Sequence, residues 1–84
     1  MQLTYFGHSC FLLQIDGARL VLDPYLRENP HGSIDPATVP CDLVLCSHAH
    51  DDHIADALTL SRLHGATLVA PYELAAYFAT QGAK

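Results

Sequence analysis

Apolar and polar positions change their period partway along the chain. Over residues 2–6, Leu3 and Tyr5 share one face at the period of a strand, and Gly7-His8-Ser9 interrupts the run. Cys10–Ile15 resumes it as a strongly apolar stretch. Asp16-Gly17 between apolar flanks signals a tight hairpin, and Ala18–Leu22 reads as the return strand, ended by Asp23-Pro24. The first 22 residues therefore predict a small antiparallel meander. Residues 24–41 hold Pro24, Pro30, Pro36 and Pro40 among Asn29, Gly32, Ser33 and Asp35, which is loop chemistry. A loop of that length either covers a site or simply connects.

From residue 42 the pattern becomes β-α-β-α. Residues 42–46 form a short continuous apolar run, as expected of a strand buried on both faces. After a polar stretch over 47–53, Ile54, Ala57 and Leu58 recur at helical spacing, with Gly65 as the stop. Residues 67–70 predict a second buried strand, parallel to the first through a right-handed crossover. Pro71 opens a last helix, with Glu73 in its first turn and Leu74, Tyr77 and Phe78 as a core ridge, before Gly82. The fold class is α/β, an antiparallel β meander followed by a βαβα unit.

At 84 residues, half of them hydrophobic, the chain makes one small domain of marginal stability. No run approaches the length that spans a bilayer, and no secretory signal is visible at the start, so no membrane partner is expected. Four basic residues scattered among nine acidic ones form no positive stripe, which argues against nucleic acid. An odd count of three cysteines reads as reduced thiols and a cytoplasmic location.

The chemistry concentrates in Ser47-His48-Ala49-His50-Asp51-Asp52-His53, directly after a predicted strand. In an extended segment residues i and i+2 point the same way, so His48 and His50 can converge on one ion; on a helix they could not. Asp52 and His53, where the chain turns into the helix, can serve a second. Imidazole with carboxylate suits Zn²⁺, Mn²⁺ or Fe. The bland alternative is that Asp51 or Asp52 merely caps the helix. A rival site pairs Cys41 and Cys46 with the nearby histidines as structural zinc, which would make the chain a binding module. Cys10 beside His8 could also form a thiol nucleophile.

His48-x-His50-x-Asp52-His53 resembles the HxHxDH motif of the metallo-β-lactamase fold superfamily. The run from Leu3 through Gly7-His8-Ser9 to Phe11, with the Leu22-Asp23-Pro24 turn, is similar to its cytosolic metal-dependent hydrolase branch, which includes L-ascorbate-6-phosphate lactonase-like proteins. The resemblance covers essentially the whole chain and implies the N-terminal half of an αββα sandwich, with residues 1–84 as a partial domain.

It implies that His48 and His50 ligate a first metal and Asp52 and His53 a second. Zinc is the implied metal, with manganese or iron as alternatives and two ions in the complete site. A metal-bound hydroxide, which Asp52 could orient, would then attack an ester, lactone or phosphodiester in a small-molecule substrate. Asp23 would buttress a ligating histidine, unless it is only a turn residue before Pro24. His8 would line the pocket. The family's later ligands have no counterpart among Asp56, His64 and Glu73, so a partner is implied: the missing C-terminal half or a homo-oligomer. Without it the chain would be a non-catalytic metal-binding module.

Overall fold

The computed structural model describes residues 1–48 and 50–83, and for Asp51 and Asp52 the backbone alone. Five strands form one sheet in sequence order: β1 (Gln2–Gly7), β2 (Cys10–Ile15), β3 (Ala18–Leu22), β4 (Leu43–Leu45) and β5 (Thr67–Val69). The first three are the antiparallel meander the sequence predicts, and β3, β4 and β5 run parallel. Asp16 (φ 49°) and Gly17 (φ 83°) both take positive φ at the β2–β3 turn, the conformation that favours Asp-Gly there.

The helical part departs from the sequence reading at one point. Instead of a single helix from Ile54, a short α1 (Asp51–Ile54) is followed by α2 (Ala57–His64), with Asp56 between them. The Asp56 carboxylate turns away to accept from the backbone N–H groups of Leu26 (2.6 Å) and Arg27 (3.2 Å), while its own N–H donates to the Pro24 carbonyl (3.2 Å). Gly65 (φ 67°) stops α2 as expected. α3 (Tyr72–Thr80) buries Leu74 and Phe78. Tyr77, predicted for the same ridge, points outward at 55% exposure.

The 24–41 stretch is a packed connection. Leu26, Pro24 and Pro36 are fully buried, a 3₁₀ turn forms at Pro36–Thr38, and His64 on α2 bonds the Pro36 carbonyl through Nε2 (3.0 Å). Asn29, also buried, donates to the carbonyls of Gly7 (3.1 Å) and Tyr25 (2.7 Å) and accepts from His31 N–H (2.9 Å). Among the described residues no buried side-chain polar atom lacks a partner, as a native interior requires.

The sheet has two unlike faces. Val21, Val44 and Leu68, paired across β3, β4 and β5, sit in a core completed by Leu60 of α2 and Phe78 of α3. The other face carries two rows in register: Leu3, Leu13, Leu20, Leu43, Thr67, and Tyr5, Phe11, Leu22, Leu45, Val69. None of these ten is fully buried. The prediction that β4 and β5 are buried on both faces therefore fails, because the helices cover one side only.

Gly7 is fixed by geometry. Its φ of 110° excludes ordinary L residues, and a Cβ there would lie 2.5 Å from the Cβ of His31. Gly7→Ala is expected to cost about 2 kcal/mol in urea unfolding. His31→Ala should not restore it, since the clashing Cβ remains; a neutral Gly7→Ala would contradict this packing.

Candidate metal centre

Because β3 and β4 are parallel and paired Leu22 with Leu45, the residues leaving their carboxyl ends emerge side by side. Asp23 N–H donates to the Leu45 carbonyl (2.7 Å), and Cys46 N–H to that of Val69 (2.9 Å). Carboxyl ends of parallel strands are where α/β sheets collect ligands. Here the register brings Asp23 against Ser47, 24 residues later in the chain.

Asp23 is 95% buried and takes a left-handed backbone conformation (φ 47°) that Asp tolerates better than most residues. Its carboxylate accepts three bonds: Ser47 N–H to Oδ1 (2.6 Å), the Ser47 hydroxyl to Oδ2 (2.7 Å) and His53 Nδ1 to Oδ2 (3.0 Å). Burial pushes this carboxyl's pKa up, but the Ser47 backbone and hydroxyl donors and His53 outweigh it and hold it below the ordinary 3.8. Asp23 thus stands at the turn that ends β3 and also bonds His53, one of the expected ligands.

Proton accounting then sets two imidazoles. An ionised carboxylate only accepts, so His53 carries a proton on Nδ1, and in the neutral ring the lone pair is then on Nε2. The single Ser47 hydroxyl proton goes to Asp23, so at 2.8 Å from His48 Nδ1 the Ser47 oxygen accepts, and His48 also keeps its lone pair on Nε2. Ser47 has no signal in sequence; only the fold reveals its role.

The rings converge. His48 lies 4.5 Å from His50 and 4.0 Å from His53 between ring centroids, and His50 lies 6.5 Å from His53. A tetrahedral ion holds two imidazole centroids about 5 Å apart, given metal–nitrogen bonds of about 2.1 Å. His50 has extended dihedrals (φ −68°, ψ 139°), the conformation that lets it share a direction with His48. His8, at φ 59°, sets its ring edge-on to Tyr25 (5.4 Å) and to His53 (5.3 Å). The side chain of Asp52, the fourth expected ligand, lies outside the described residues, as does that of Asp51. Among the described side chains no three His, Cys, Asp or Glu groups are placed to hold a metal ion together. The other acidic and imidazole candidates, Asp56 and His64, are engaged in the backbone bonds above.

The thiol alternatives are not favoured by these surroundings. Cys10, Cys41 and Cys46 are all buried, and burial is the main cause that pushes their pKa values up to about 11, 11 and 12. A thiol held that high is neither a ready nucleophile nor a ready metal ligand.

With this geometry in view, comparison with known proteins assigns the class. Residues 2–81 match the beta-lactamase superfamily domain, and the chain belongs to that family. It is 70% identical over its whole length to a UPF0173 metal-dependent hydrolase of Opitutus terrae, covering 37% of that protein. It is 44% identical over 82 residues to one of Methanopyrus kandleri, covering 36%. Among solved structures it superposes on Igni18, described as a novel metallo hydrolase from Ignicoccus hospitalis, with a TM-score of 0.87 and 36% identity over 98% of this chain and 36% of that one. The fold is the N-terminal half of the αββα sandwich, and the chain spans a little over a third of the relatives it matches.

Two outcomes follow. A depressed carboxylate pKa adds stability that is present above the unfolded value and lost as pH falls through the folded one. At pH 7 Asp23→Asn should melt lower, by about 2 kcal/mol of stability. The gap to the parent should close as pH drops below 3.8; a gap independent of pH would show that the carboxylate charge is not what matters. In the folded protein all three thiols should resist a disulfide reagent at pH 8, with or without chelator, and react once urea unfolds the chain. Chelator-dependent exposure would revive the zinc–cysteine site.

Proposed function

We propose that this chain carries the first half of a divalent-metal hydrolase centre, with His48, His50, Asp52 and His53 as ligands. The supporting observation is the shared presentation of His48 and His53. Both have Nδ1 committed to the Ser47–Asp23 chain, which orients Nε2 as the donor atom. The borderline, nitrogen-rich donor set suits Zn²⁺, with Mn²⁺ or Fe as alternatives and two ions in a complete site. A bound ion supplies Lewis acidity and an acidified water, the chemistry that hydrolysis of an ester, lactone or phosphodiester needs. Asp23 acts as a positioning residue that keeps the His48 and His53 rings in one tautomer. Asp52 both ligates and orients the attacking water, and His8 lines the substrate side.

Residues 1–84 are then a partial domain, completed in longer relatives by the remaining two-thirds of their length. The four donors alone favour a second reading for the isolated chain, a metal-binding module without turnover. Both readings rest on the same ligands. Zinc titration followed by native mass spectrometry should show uptake by the parent chain and its loss, by at least about 100-fold in affinity, in the His48→Ala, His50→Ala double variant. Unchanged metal stoichiometry in that variant would overturn the assignment. Nitrophenyl ester, lactone and bis-nitrophenyl phosphate substrates, tested on the metal-loaded chain, then separate hydrolase from module.

A further inference from the structure

Two adjacent residues at the β1–β2 turn take positive φ, Gly7 (110°) and His8 (59°). Glycine does so freely, a histidine seldom. The peptide planes on either side of the His8 Cα are each held by a side chain. Asn29 Nδ2 donates to the Gly7 carbonyl (3.1 Å), and Tyr5 Oη donates to the His8 carbonyl (2.7 Å). Because a peptide is planar, holding both planes sets the φ and ψ between them, and with those the direction of the His8 side chain.

Asn29 is 95% buried, and its carboxamide has no slack. Nδ2 also donates to the Tyr25 carbonyl (2.7 Å), and Oδ1 accepts from His31 N–H (2.9 Å). Both amide hydrogens and the oxygen are thus used, and turning the group over would set its oxygen against two carbonyls. His31 covers Gly7 on the side where a side chain would stand. One side chain therefore braces the residue before His8 together with Tyr25, two places past Asp23. The rings so placed meet: His8 is edge-on to Tyr25 at 5.4 Å and to His53 at 5.3 Å.

We propose that Asn29 is a positioning residue for the metal centre, acting through His8 on His53, with Tyr5 as the second grip on the same turn. The inference rests on His53 being a ligand, as proposed above. Asp23 fixes the Nδ1 corner of the His53 ring. One hydrogen bond sets a corner and leaves the ring plane free to swing about it. An aromatic edge laid across the ring removes that swing, so Nε2 keeps one aim. Sparsely populated backbone persists where its surroundings over-determine it, and at His8 neither dihedral can drift without breaking a bond.

The test compares the parent chain with Asn29→Ala, Tyr5→Phe and His8→Ala. In the metal-free parent, NMR should show through-space contacts between the ring protons of His8 and His53, and between those of His8 and Tyr25. Asn29→Ala and Tyr5→Phe should weaken the His8–His53 contact while the amide signals of α2 and α3 stay in place. Zinc titration should then give a loss of about 10-fold in affinity for Asn29→Ala. The same substitution in a His8→Ala background should cost little more, because its path runs through His8. A merely structural asparagine would lower the melting temperature and leave both the ring contact and zinc affinity where they were. That result overturns the proposal, as does a loss that adds in full to that of His8→Ala. If Asn29→Ala does not fold, Tyr5→Phe, at a 57% exposed position, carries the same two readouts. A parent chain that takes up no zinc refutes the ligand assignment and this inference with it; unmoved rings in a zinc-binding chain refute this inference alone.

Discussion

One buried carboxylate organises the polar end of this molecule. Asp23 sits where β3 stops, and its two oxygens receive every donor that Ser47 offers together with a proton of His53. Without those bonds the carboxylate would be a costly buried charge. With them it becomes the reference point from which two imidazoles take their orientation. The strand register comes first in this chain of cause. Pairing Leu22 with Leu45 sets Asp23 beside Ser47, Ser47 sets His48, and Asp23 sets His53. A slip of one residue in β4 would turn each side chain to the opposite face and dissolve the arrangement.

The same parallel pairing divides the sheet into a finished side and an unfinished one. Val21, Val44 and Leu68 face helices and build the core. Their neighbours one residue along face outward as two rows that are apolar but for Thr67. A domain of this size has little stability to spare. The structure compensates locally, through Asn29 and Asp56, which tie the long connection to the meander and to the helix junction without leaving a buried donor unpaired.

Much of the fold was legible because its signals are local. Alternation in β1 to β3, Asp16-Gly17 at the hairpin and Gly65 after α2 each act within a few residues. The histidine cluster was legible by density and by its place after an apolar strand. The Asp23 contact to His53 was foreseen only as a buttress to some histidine. What sequence did not reveal acts over 24 to 30 residues. Ser47 looks like an ordinary polar residue until Asp23 is beside it. Asp56 looks like part of a continuous helix until the N–H groups of Leu26 and Arg27 draw its carboxylate away and split α1 from α2. Tyr77 sits three residues after Leu74, at helical spacing, yet falls on the rim of the buried stripe that Leu74 and Phe78 define.

Asp23 and Ser47 hold the neutral rings of His48 and His53 with the proton on Nδ1 and the lone pair on Nε2. Long-range ¹H–¹⁵N correlation spectra of the histidine rings in the metal-free protein near pH 8 read that state directly. Both rings are expected in the Nδ1–H form, the less common one for a free imidazole, and Asp23→Asn should release them. Nε2–H signals from either residue in the parent protein would contradict this.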